Sequence, residues 1–258
     1  MGLSHAHFYT CARMRPTFSI VVPVYNEAEF IPEAVPTLIE QMESIGEPYR
    51  IFLVENGSTD GTAIVAQKVA ESHPVTVLSL EAADYGAAMR HGFLAADGDW
   101  VVNFDIDYFS ADFLKRVLAL DDVDLVIASK RDPGSEDRRP LLRRIATWVF
   151  NLLLSTILDS KVSDTHGMKA FRRDLVANVT PSVLSRQDLF DTELVIRAER
   201  AGYRIEEVPV VVEEMRVARS SLVKRVPRTI NGLLRIRRTL ADESLRLAAA
   251  HTPDPDGD

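Results

Sequence analysis

Short apolar, β-branched segments alternate with helical segments through the first half of the chain, and this alternation restricts the fold more than any other feature. Strands are predicted at residues 17–25, 49–54, 75–80, 100–104 and 124–129. Helices are predicted between them, at residues 28–44, 61–71, 86–96 and 113–120. This order predicts an α/β fold, a mostly parallel central sheet with helices on both faces.

The second half of the chain continues this pattern less regularly. Helices are predicted at residues 138–158, 189–201 and 221–249, and a strand at residues 203–212. No repeat or linker-like composition interrupts the chain, so a single domain over residues 17–218 is expected, followed by a basic amphipathic helical region at residues 219–249. Residues 1–16 and 250–258 are predicted to be disordered tails.

Composition excludes several classes of protein. A net charge of −8 argues against a general nucleic-acid binder, which is normally basic. Cys11 is the only cysteine, so an internal disulfide is excluded and a cytoplasmic setting fits. No run of roughly 18 apolar residues is present, and residues 1–16 lack the apolar core of a signal peptide. A soluble or membrane-surface protein is therefore expected.

Each predicted strand of the first half ends in a polar cluster. The clusters are Tyr25-Asn26-Glu27, Glu55 to Asp60, Asp84-Tyr85-Gly86 and Asp105-Ile106-Asp107. If the strands are parallel, these clusters gather along one rim of the sheet, where ligands bind in such folds. Turn and capping preferences alone explain Ser58, Asp60 and Gly61. They explain Asp105 and Asp107 poorly, because two carboxylates so close together repel each other without a cation between them.

A nucleotide diphosphate-sugar gives a chemical reason for the Asp105–Asp107 pair. A diphosphate becomes a good leaving group once its charge is neutralised, and Mg²⁺ or Mn²⁺ prefers carboxylate and phosphate oxygens. The cation acts as a Lewis acid on the departing diphosphate. Asp105 and Asp107 are therefore predicted as metal ligands.

Several segments together resemble a known enzyme family. VVPVYNE, VENGSTDGT, YGAAMRHG and FDID resemble the inverting glycosyltransferase family 2, which has the GT-A fold. SDTHGMKAFRRD and FDTELVIRAERAGYRIEEVPV are similar to its polyprenyl-phosphate branch. The resemblance extends from Phe18 to Arg238. It implies transfer of mannose or glucose from GDP-mannose or UDP-glucose to a dolichyl or bacterial polyprenyl phosphate.

The resemblance also implies roles for individual residues. Asp107 is the direct metal ligand, and Asp105 lies near the ribose or the metal. The nucleotide-sugar site it implies consists of Pro23, Tyr25, Glu27, Glu55, Asn56, Ser58, Gly86, Asp105, Ile106 and Asp107. Glu55 and Asn56 depart from the family, in which aspartates are common at these positions. Phe109 replaces a glutamine that helps to bind metal in some relatives, and the DTHG segment is one residue shorter than the commoner form.

The acceptor determines which further residues matter. A lipid phosphate is already anionic and needs cations rather than a base; Lys130 and Arg131 are the candidates, with Arg216 and Arg219 as weaker ones. A hydroxyl acceptor needs a base, and Asp191 stands near the family's position for one, although it is equally suited to capping its helix. His166 is suited to contact with diphosphate or acceptor, or to a structural hydrogen bond.

Two basic amphipathic helices are relevant to the partner. In residues 222–240 and 138–158, arginines accompany broad apolar faces, the second containing Trp148, Val149, Phe150 and Leu152. Such helices bind anionic membrane surfaces, pack onto the sheet or form a dimer.

The predicted function is an inverting, metal-dependent hexosyltransferase acting on a polyprenyl phosphate. The alternatives are a soluble hydroxyl acceptor (a glycan or metabolite) or a non-catalytic nucleotide-sugar binder. A nucleotidyltransferase is disfavoured, because VPVYNEAEF lacks a glycine-rich basic loop.

Overall fold

The computed structural model describes residues 17–132, 134–138, 140–212 and 222–250. Its centre is a sheet of seven strands in the order β3-β2-β1-β4-β7-β5-β8. The strands are β1 (Phe18–Val24), β2 (Tyr49–Asn56), β3 (Val75–Leu80), β4 (Trp100–Asn103), β5 (Leu125–Ser129), β7 (Lys169–Arg172) and β8 (Ile205–Pro209). A second, two-stranded sheet pairs β6 (Glu136–Asp137) with β9 (Val211–Val212).

All pairs in the large sheet are parallel except those made by β7. This strand lies between β4 and β5 and runs antiparallel to both. The chain order reverses beside β1, which lies between β2 and β4. In open α/β sheets, such a reversal leaves a crevice at the carboxyl ends of the strands, and ligands bind there.

Helices cover both faces of the sheet. They are α1 (Ile31–Glu43), α2 (Thr62–Ser72), α3 (Tyr85–Ala95), α4 (Ala111–Leu118), α5 (Leu141–Leu158), α6 (Arg173–Val179), α7 (Phe190–Arg200) and α8 (Leu222–Ala250). Helices α1, α2 and α4 share one buried cluster with the even-numbered side chains of β1, including Ile20 and Val22. Helices α3, α6 and α7 share another with Val21 and the alternate side chains of the sheet. The two clusters reflect the two-residue period of a strand buried on both faces.

A third apolar cluster attaches α5 and α8 to the domain. It contains Leu154 and Leu158 of α5, Leu189, and Leu233 and Leu240 of α8. A β-carbon at Gly232 of α8 would lie 2.1 Å from Leu189 Cδ1, so the helix approaches this closely only because residue 232 is glycine. Among the described residues, no helix is both long enough and apolar enough to cross a membrane.

The structure confirms the predicted α/β fold and differs from the prediction in detail. The four-residue strand β7 and helix α6 were not predicted. Helix α5 begins at Leu141, three residues later than expected, because Pro140 occupies its N-cap position in an extended conformation. The predicted tail at residues 1–16 and the candidates Arg216 and Arg219 lie outside the described residues. So does the predicted tail at residues 250–258 except for Ala250, which is the last residue of α8.

Candidate active site

The predicted rim forms where β1, β2 and β4 end. Val24 pairs with Glu55, so the turns after β1 and β2 lie side by side. Two hydrogen bonds join these turns: the Asn26 backbone N–H donates to Ser58 Oγ at 3.0 Å, and the Glu27 N–H donates to Thr62 Oγ1 at 2.8 Å. The parallel register thus brings together clusters that are about 30 residues apart in the chain.

Glu55 and Asn56 are both buried and both accept backbone hydrogen bonds. Glu55 Oε1 accepts from Ser58 N–H at 2.6 Å, and Asn56 Oδ1 accepts from Asp84 N–H at 2.7 Å. These bonds set the shape of the turn after β2 and attach it to the start of α3. Contact of Glu55, Asn56 and Ser58 with a nucleotide remains a prediction.

Two glycines at this edge sit against backbone. Gly57 has φ +65°, and a β-carbon there would lie 2.7 Å from the Ala82 carbonyl carbon. A β-carbon at Gly86 would lie 2.9 Å from Arg186 Cα, in the segment that precedes α7. The close approach at Gly86 that the structure contains is therefore between two parts of the protein. Its predicted approach to a nucleotide remains a prediction.

Tyr25, Pro23 and Glu27 lie at the open end of β1. The Tyr25 ring is 44% exposed, whereas Pro23 and Glu27 are half-buried. An exposed aromatic ring at the rim of a polar crevice is suited to stacking on a flat ligand group. Their predicted contacts with base and ribose remain predictions.

Asp105 and Asp107 follow β4 in a tight turn, closed by a hydrogen bond of 3.0 Å from Tyr108 N–H to Asp105 carbonyl oxygen. Asp105 is exposed to solvent, although the surrounding protein desolvates its carboxylate. Desolvation from these surroundings raises the pKa of Asp105 to about 6; Lys169 opposes the rise, and the nearby Asp107 and Asp191 carboxylates add to it. Between the two aspartates, Ile106 packs into the hydrophobic core, which leaves only its backbone for ligand contact. Phe109 also packs against this core.

The donor groups of this turn fit Mg²⁺ or Mn²⁺. Both are carboxylates, the hard oxygen donors that these cations prefer. No group of three or more His, Cys, Asp or Glu side chains suited to a metal occurs in the described parts of the chain. A cation held by Asp105 and Asp107 would therefore take most of its other ligands from a substrate or water.

Asp191 adds a third carboxylate, and its charge acts on Asp105. It lies inside α7, whose N-cap is Leu189 and has no side-chain cap hydrogen bond, so the capping alternative for Asp191 is wrong. Its Oδ2 instead accepts a hydrogen bond of 2.8 Å from the Tyr85 hydroxyl and lies 3.8 Å from Lys169 Nζ. Desolvation, and then the charges of Asp191 and Asp105, hold the pKa of Tyr85 well above its usual value, so the hydroxyl remains a donor.

Sequence reasoning missed Lys169 as a member of the site, and it placed Tyr85 in a polar cluster at the rim without giving it a role. Lys169 belongs to β7, the strand that was not predicted, and its pairing with Asn103 brings it beside the end of β4. The only available signal was a lysine next to alternating apolar residues in GMKAF, which does not distinguish a buried lysine from a surface one.

Lys130 is largely committed to the loop that contains the DTHG sequence. Its Nζ lies 3.5 Å from Asp164 Oδ2 and donates to the His166 carbonyl oxygen at 3.3 Å. Asp164 Oδ1 accepts from His166 N–H at 2.8 Å. The side chain of Arg131, in contrast, is exposed. The two predicted acceptor cations therefore differ: Lys130 is built into the wall of the site, and Arg131 extends from it.

The His166 ring connects this loop to α5. Its centroid lies 4.8 Å from that of Phe150 in an edge-to-face arrangement. Desolvation lowers the pKa of His166, with Asp164 opposing, so the ring is neutral near pH 7. Beyond Phe150, the outer face of α5 exposes Leu141, Leu142, Ile145, Trp148, Val149 and Leu152.

Comparison with curated proteins finds relatives named as glycosyltransferases or sugar transferases, one of them with a lipid phosphate in its name. The chain is 29% identical over 218 residues to glycosyltransferase AglD of Haloferax volcanii, covering 81% of this chain and 35% of that protein. It is 28% identical over 197 residues to undecaprenyl-phosphate 4-deoxy-4-formamido-L-arabinose transferase of Salmonella paratyphi B, covering 74% and 58%. The chain thus spans between one third and three fifths of the length of these relatives.

Solved structures share the fold at low sequence identity. Glucosyl-3-phosphoglycerate synthase from Mycobacterium tuberculosis, in complex with Mn²⁺, UDP and glucosyl-3-phosphoglycerate, matches with a TM-score of 0.65 and 22% identity over 86% of this chain and 80% of that one. The mannosyltransferase PcManGT from Pyrobaculum calidifontis, with GDP-mannose and Mn²⁺, matches with a TM-score of 0.59 and 22% identity over 94% and 78%. These matches confirm the GT-A type of α/β fold.

The family assignment rests on the match to a family model. The model of the family described as glycosyl transferase family 2 matches residues 19–180, more than half of the chain. That segment includes the turns after β1, β2 and β4, Lys130, and the loop at residues 163–167. The predicted resemblance is confirmed, and the chain belongs to glycosyl transferase family 2.

Proposed function

We propose that this protein transfers a sugar from a nucleotide diphosphate-sugar to a polyprenyl phosphate, with inversion at the anomeric carbon and with Mg²⁺ or Mn²⁺ at Asp105 and Asp107. The observation that carries the proposal is a series of contacts. Lys130 acts on the charge of Asp105 and donates to the His166 carbonyl oxygen, and the His166 ring packs against Phe150 of α5, whose outer face is apolar and exposed.

The donor end of the site is assigned to the turns after β1, β2 and β4. Tyr25 and Glu27 contact the base and ribose, with Pro23 below them. The loop that Glu55, Asn56 and Ser58 hold in place borders the nucleotide, and α3 begins beside it at Gly86. Mn²⁺ accompanies UDP in the mycobacterial synthase and GDP-mannose in PcManGT. This supports a divalent cation and a nucleotide-sugar for this chain, without selecting the nucleotide or the sugar.

The reaction exchanges one bond at the anomeric carbon for another. The bond from that carbon to the diphosphate oxygen breaks, and a phosphate oxygen of the acceptor forms the new bond from the opposite face. When bound, the divalent cation supplies the positive charge that stabilises the departing diphosphate. An α-linked donor therefore gives a β-linked sugar phosphate, and Asp105 and Asp107 orient the leaving group.

A phosphate acceptor explains why cations line the far side of the site. Its oxygen is anionic near neutral pH and needs no general base, so the protein must hold and align it. Lys130 is fixed by Asp164 and the His166 carbonyl oxygen, and Arg131 extends beside it. We assign both to the acceptor phosphate. The undecaprenyl-phosphate transferase of Salmonella, a relative by sequence, supports this class of acceptor.

The lipid part of the acceptor requires an apolar surface next to the site, and α5 provides one. Its inward face contains Asn151, whose amide has no hydrogen-bond partner among the described residues, whereas its outward face exposes Trp148 at 54% and Leu142 at 69%. Exposure of an apolar helix face to water is unfavourable unless another surface covers that face. Exposed Arg144 near its start, and Arg235 and Arg238 on α8, suit an anionic bilayer surface.

A hydroxyl acceptor is the second candidate, and Asp191 is the observation that favours it. Its carboxylate is near Asp105, and its Oδ1 is buried without a hydrogen-bond partner in the described part of the chain. A carboxylate in this position could take a proton from an acceptor hydroxyl. The mycobacterial synthase, crystallised with a glucosylated phosphoglycerate, has the same fold.

A product assay tests the proposal. Purified protein is incubated with Mg²⁺ or Mn²⁺, a panel of UDP- and GDP-hexoses, and a short polyprenyl phosphate, and lipid-linked sugar is measured. We expect transfer that requires the cation and falls at least about 100-fold in Asp107→Ala, because the leaving group loses its metal. The exposed acidic residue Asp112 gives the matched control, since Asp112→Ala should retain wild-type activity.

Other outcomes of this assay are equally informative. Release of nucleoside diphosphate without a lipid product, together with transfer to a soluble glycan, would overturn the lipid acceptor and favour the hydroxyl acceptor. In that case Asp191→Asn should abolish transfer. Absence of both binding and turnover with every donor would overturn the enzymatic function and indicate a non-catalytic relative.

A further inference from the structure

A buried lysine lies behind the carboxylates of the crevice and has no part in the proposed transfer. Lys169 is 0% exposed and opens β7, where it pairs with Asn103 of β4 on one side and Ile127 of β5 on the other. An ammonium group is strongly disfavoured in a protein interior unless charged and polar partners compensate it. The partners of Lys169 therefore indicate why it is there.

Those partners are a loop carbonyl and the Asp191 carboxylate. Lys169 Nζ donates to the Gly167 carbonyl oxygen at 2.7 Å and lies 3.8 Å from Asp191 Oδ2. The same oxygen accepts the Tyr85 hydroxyl at 2.8 Å. Asp191 is thus held by one neutral donor and one cation, both of which reach it from the protein interior.

Charges of both signs act on Asp105. Asp107 and Asp191 are the carboxylates among them, and Lys169 is the cation with the strongest effect. Lys130 acts less strongly on Asp105, and its Nζ lies 3.5 Å from Asp164 Oδ2. Lys169 is therefore the cation best placed to influence both Asp105 and Asp191.

We propose that Lys169 is a positioning residue that keeps Asp191 retracted from the cation site, so that only Asp105 and Asp107 bind the metal. The inference rests on the proposed cation site. Without Lys169, the Asp191 carboxylate loses its buried countercharge, and the bound cation then attracts it. A third carboxylate would then hold the cation and occupy a position needed by the diphosphate oxygens.

The experiment combines Mn²⁺ affinity with turnover. Lys169→Met keeps an unbranched side chain of similar length and removes the charge. We expect it to bind Mn²⁺ about 3- to 10-fold more tightly than the wild type, as measured by electron paramagnetic resonance titration, because the released Asp191 carboxylate becomes a third ligand. In the same variant, we expect kcat to fall at least about 10-fold while KM for the donor changes less. A damaged fold would lower both the Mn²⁺ affinity and kcat. A higher Mn²⁺ affinity together with a lower kcat therefore identifies the loss of positioning.

Two companion variants isolate the role of Asp191. Asp191→Asn with Lys169 intact should weaken Mn²⁺ binding by a few-fold. The double variant Lys169→Met/Asp191→Asn should bind Mn²⁺ no more tightly than Asp191→Asn does, because it has no carboxylate to release. Lys169→Arg keeps the charge and should remain within about threefold of the wild type in Mn²⁺ affinity. Unfolding temperatures of all four variants establish that each is folded before affinities are compared.

Failure of this inference is separable from failure of the proposed function. If the wild type binds no Mn²⁺, the cation site itself is absent. If the wild type binds Mn²⁺ but folded Lys169→Met binds it equally or more weakly, Lys169 does not restrain Asp191 and the inference is overturned. The same conclusion holds if the effects of the two substitutions on affinity are simply additive.

Discussion

Gly57 shows, at the scale of one residue, how the turn after β2 depends on backbone geometry. Its φ of +65° is in the left-handed region, and a β-carbon would lie 2.7 Å from Ala82 backbone. We expect Gly57→Ala to lower the free energy of unfolding by about 2–4 kcal/mol, because left-handed strain and a backbone clash add together. Urea unfolding measures this loss, and nucleotide affinity should fall with it because the turn after β2 must shift.

Gly46 is the matched control for this substitution. It also has a left-handed φ, +79°, but a β-carbon there would meet no atom within 4 Å. Gly46→Ala should therefore lower the free energy of unfolding by only about 1 kcal/mol and leave nucleotide binding intact. Equal losses at both positions would mean that the contact with Ala82 is not a constraint on the loop.

Helix α5 allows a test at the scale of one element, because an apolar face of this helix points outward. The double substitution Ile145→Gln/Trp148→Gln changes side chains that are 49% and 54% exposed. We expect its unfolding free energy to stay within about 1 kcal/mol of the wild type. Binding to vesicles of phosphatidylglycerol and phosphatidylcholine, measured by co-sedimentation, should weaken at least about 10-fold because two apolar anchors are lost.

Leu154 on the inward face of the same helix provides the contrast. It is 0% exposed, so Leu154→Ala should cost about 2–5 kcal/mol of stability and leave the vesicle affinity of the folded protein unchanged. If the wild type does not bind vesicles and instead sediments as a dimer that the double substitution dissociates, the outward face of α5 is a subunit interface.

At the scale of the whole molecule, a ligand at the rim should stabilise the entire sheet, because the rim turns belong to strands β1, β2 and β4 of one core. With Mn²⁺ present, UDP or GDP at a concentration about 100 times the dissociation constant of the nucleotide should add about 2.7 kcal/mol to the free energy of unfolding. The melting temperature should rise by roughly 5–10 °C. EDTA should remove most of this shift. Asp107→Asn should remove it too, whereas a shift that survives in that variant would contradict a metal-dependent donor site.

The sequence by itself determined the elements of the first half and the location of the rim. Strands buried on both faces, such as Phe18–Val24, read as continuous apolar runs, and the polar turns after them follow directly in the chain. The Asp105–Asp107 pair could be recognised for the same reason: its signal is local, two carboxylates in three residues at the end of a strand. The motifs of glycosyl transferase family 2 are equally local.

Tertiary structure alone decided how the far side of the crevice is built. Strand β7 is only four residues long, and its antiparallel position between β4 and β5 depends on pairing with residues about 45 to 70 positions earlier. Lys169, Tyr85 and Asp191 come from a strand and two helices, and no local pattern relates them. The outward direction of the apolar face of α5 was also undetermined, because periodicity defines a face of a helix but not what the face contacts. Burial and long-range charge pairing depend on which elements meet, and only the folded chain sets that.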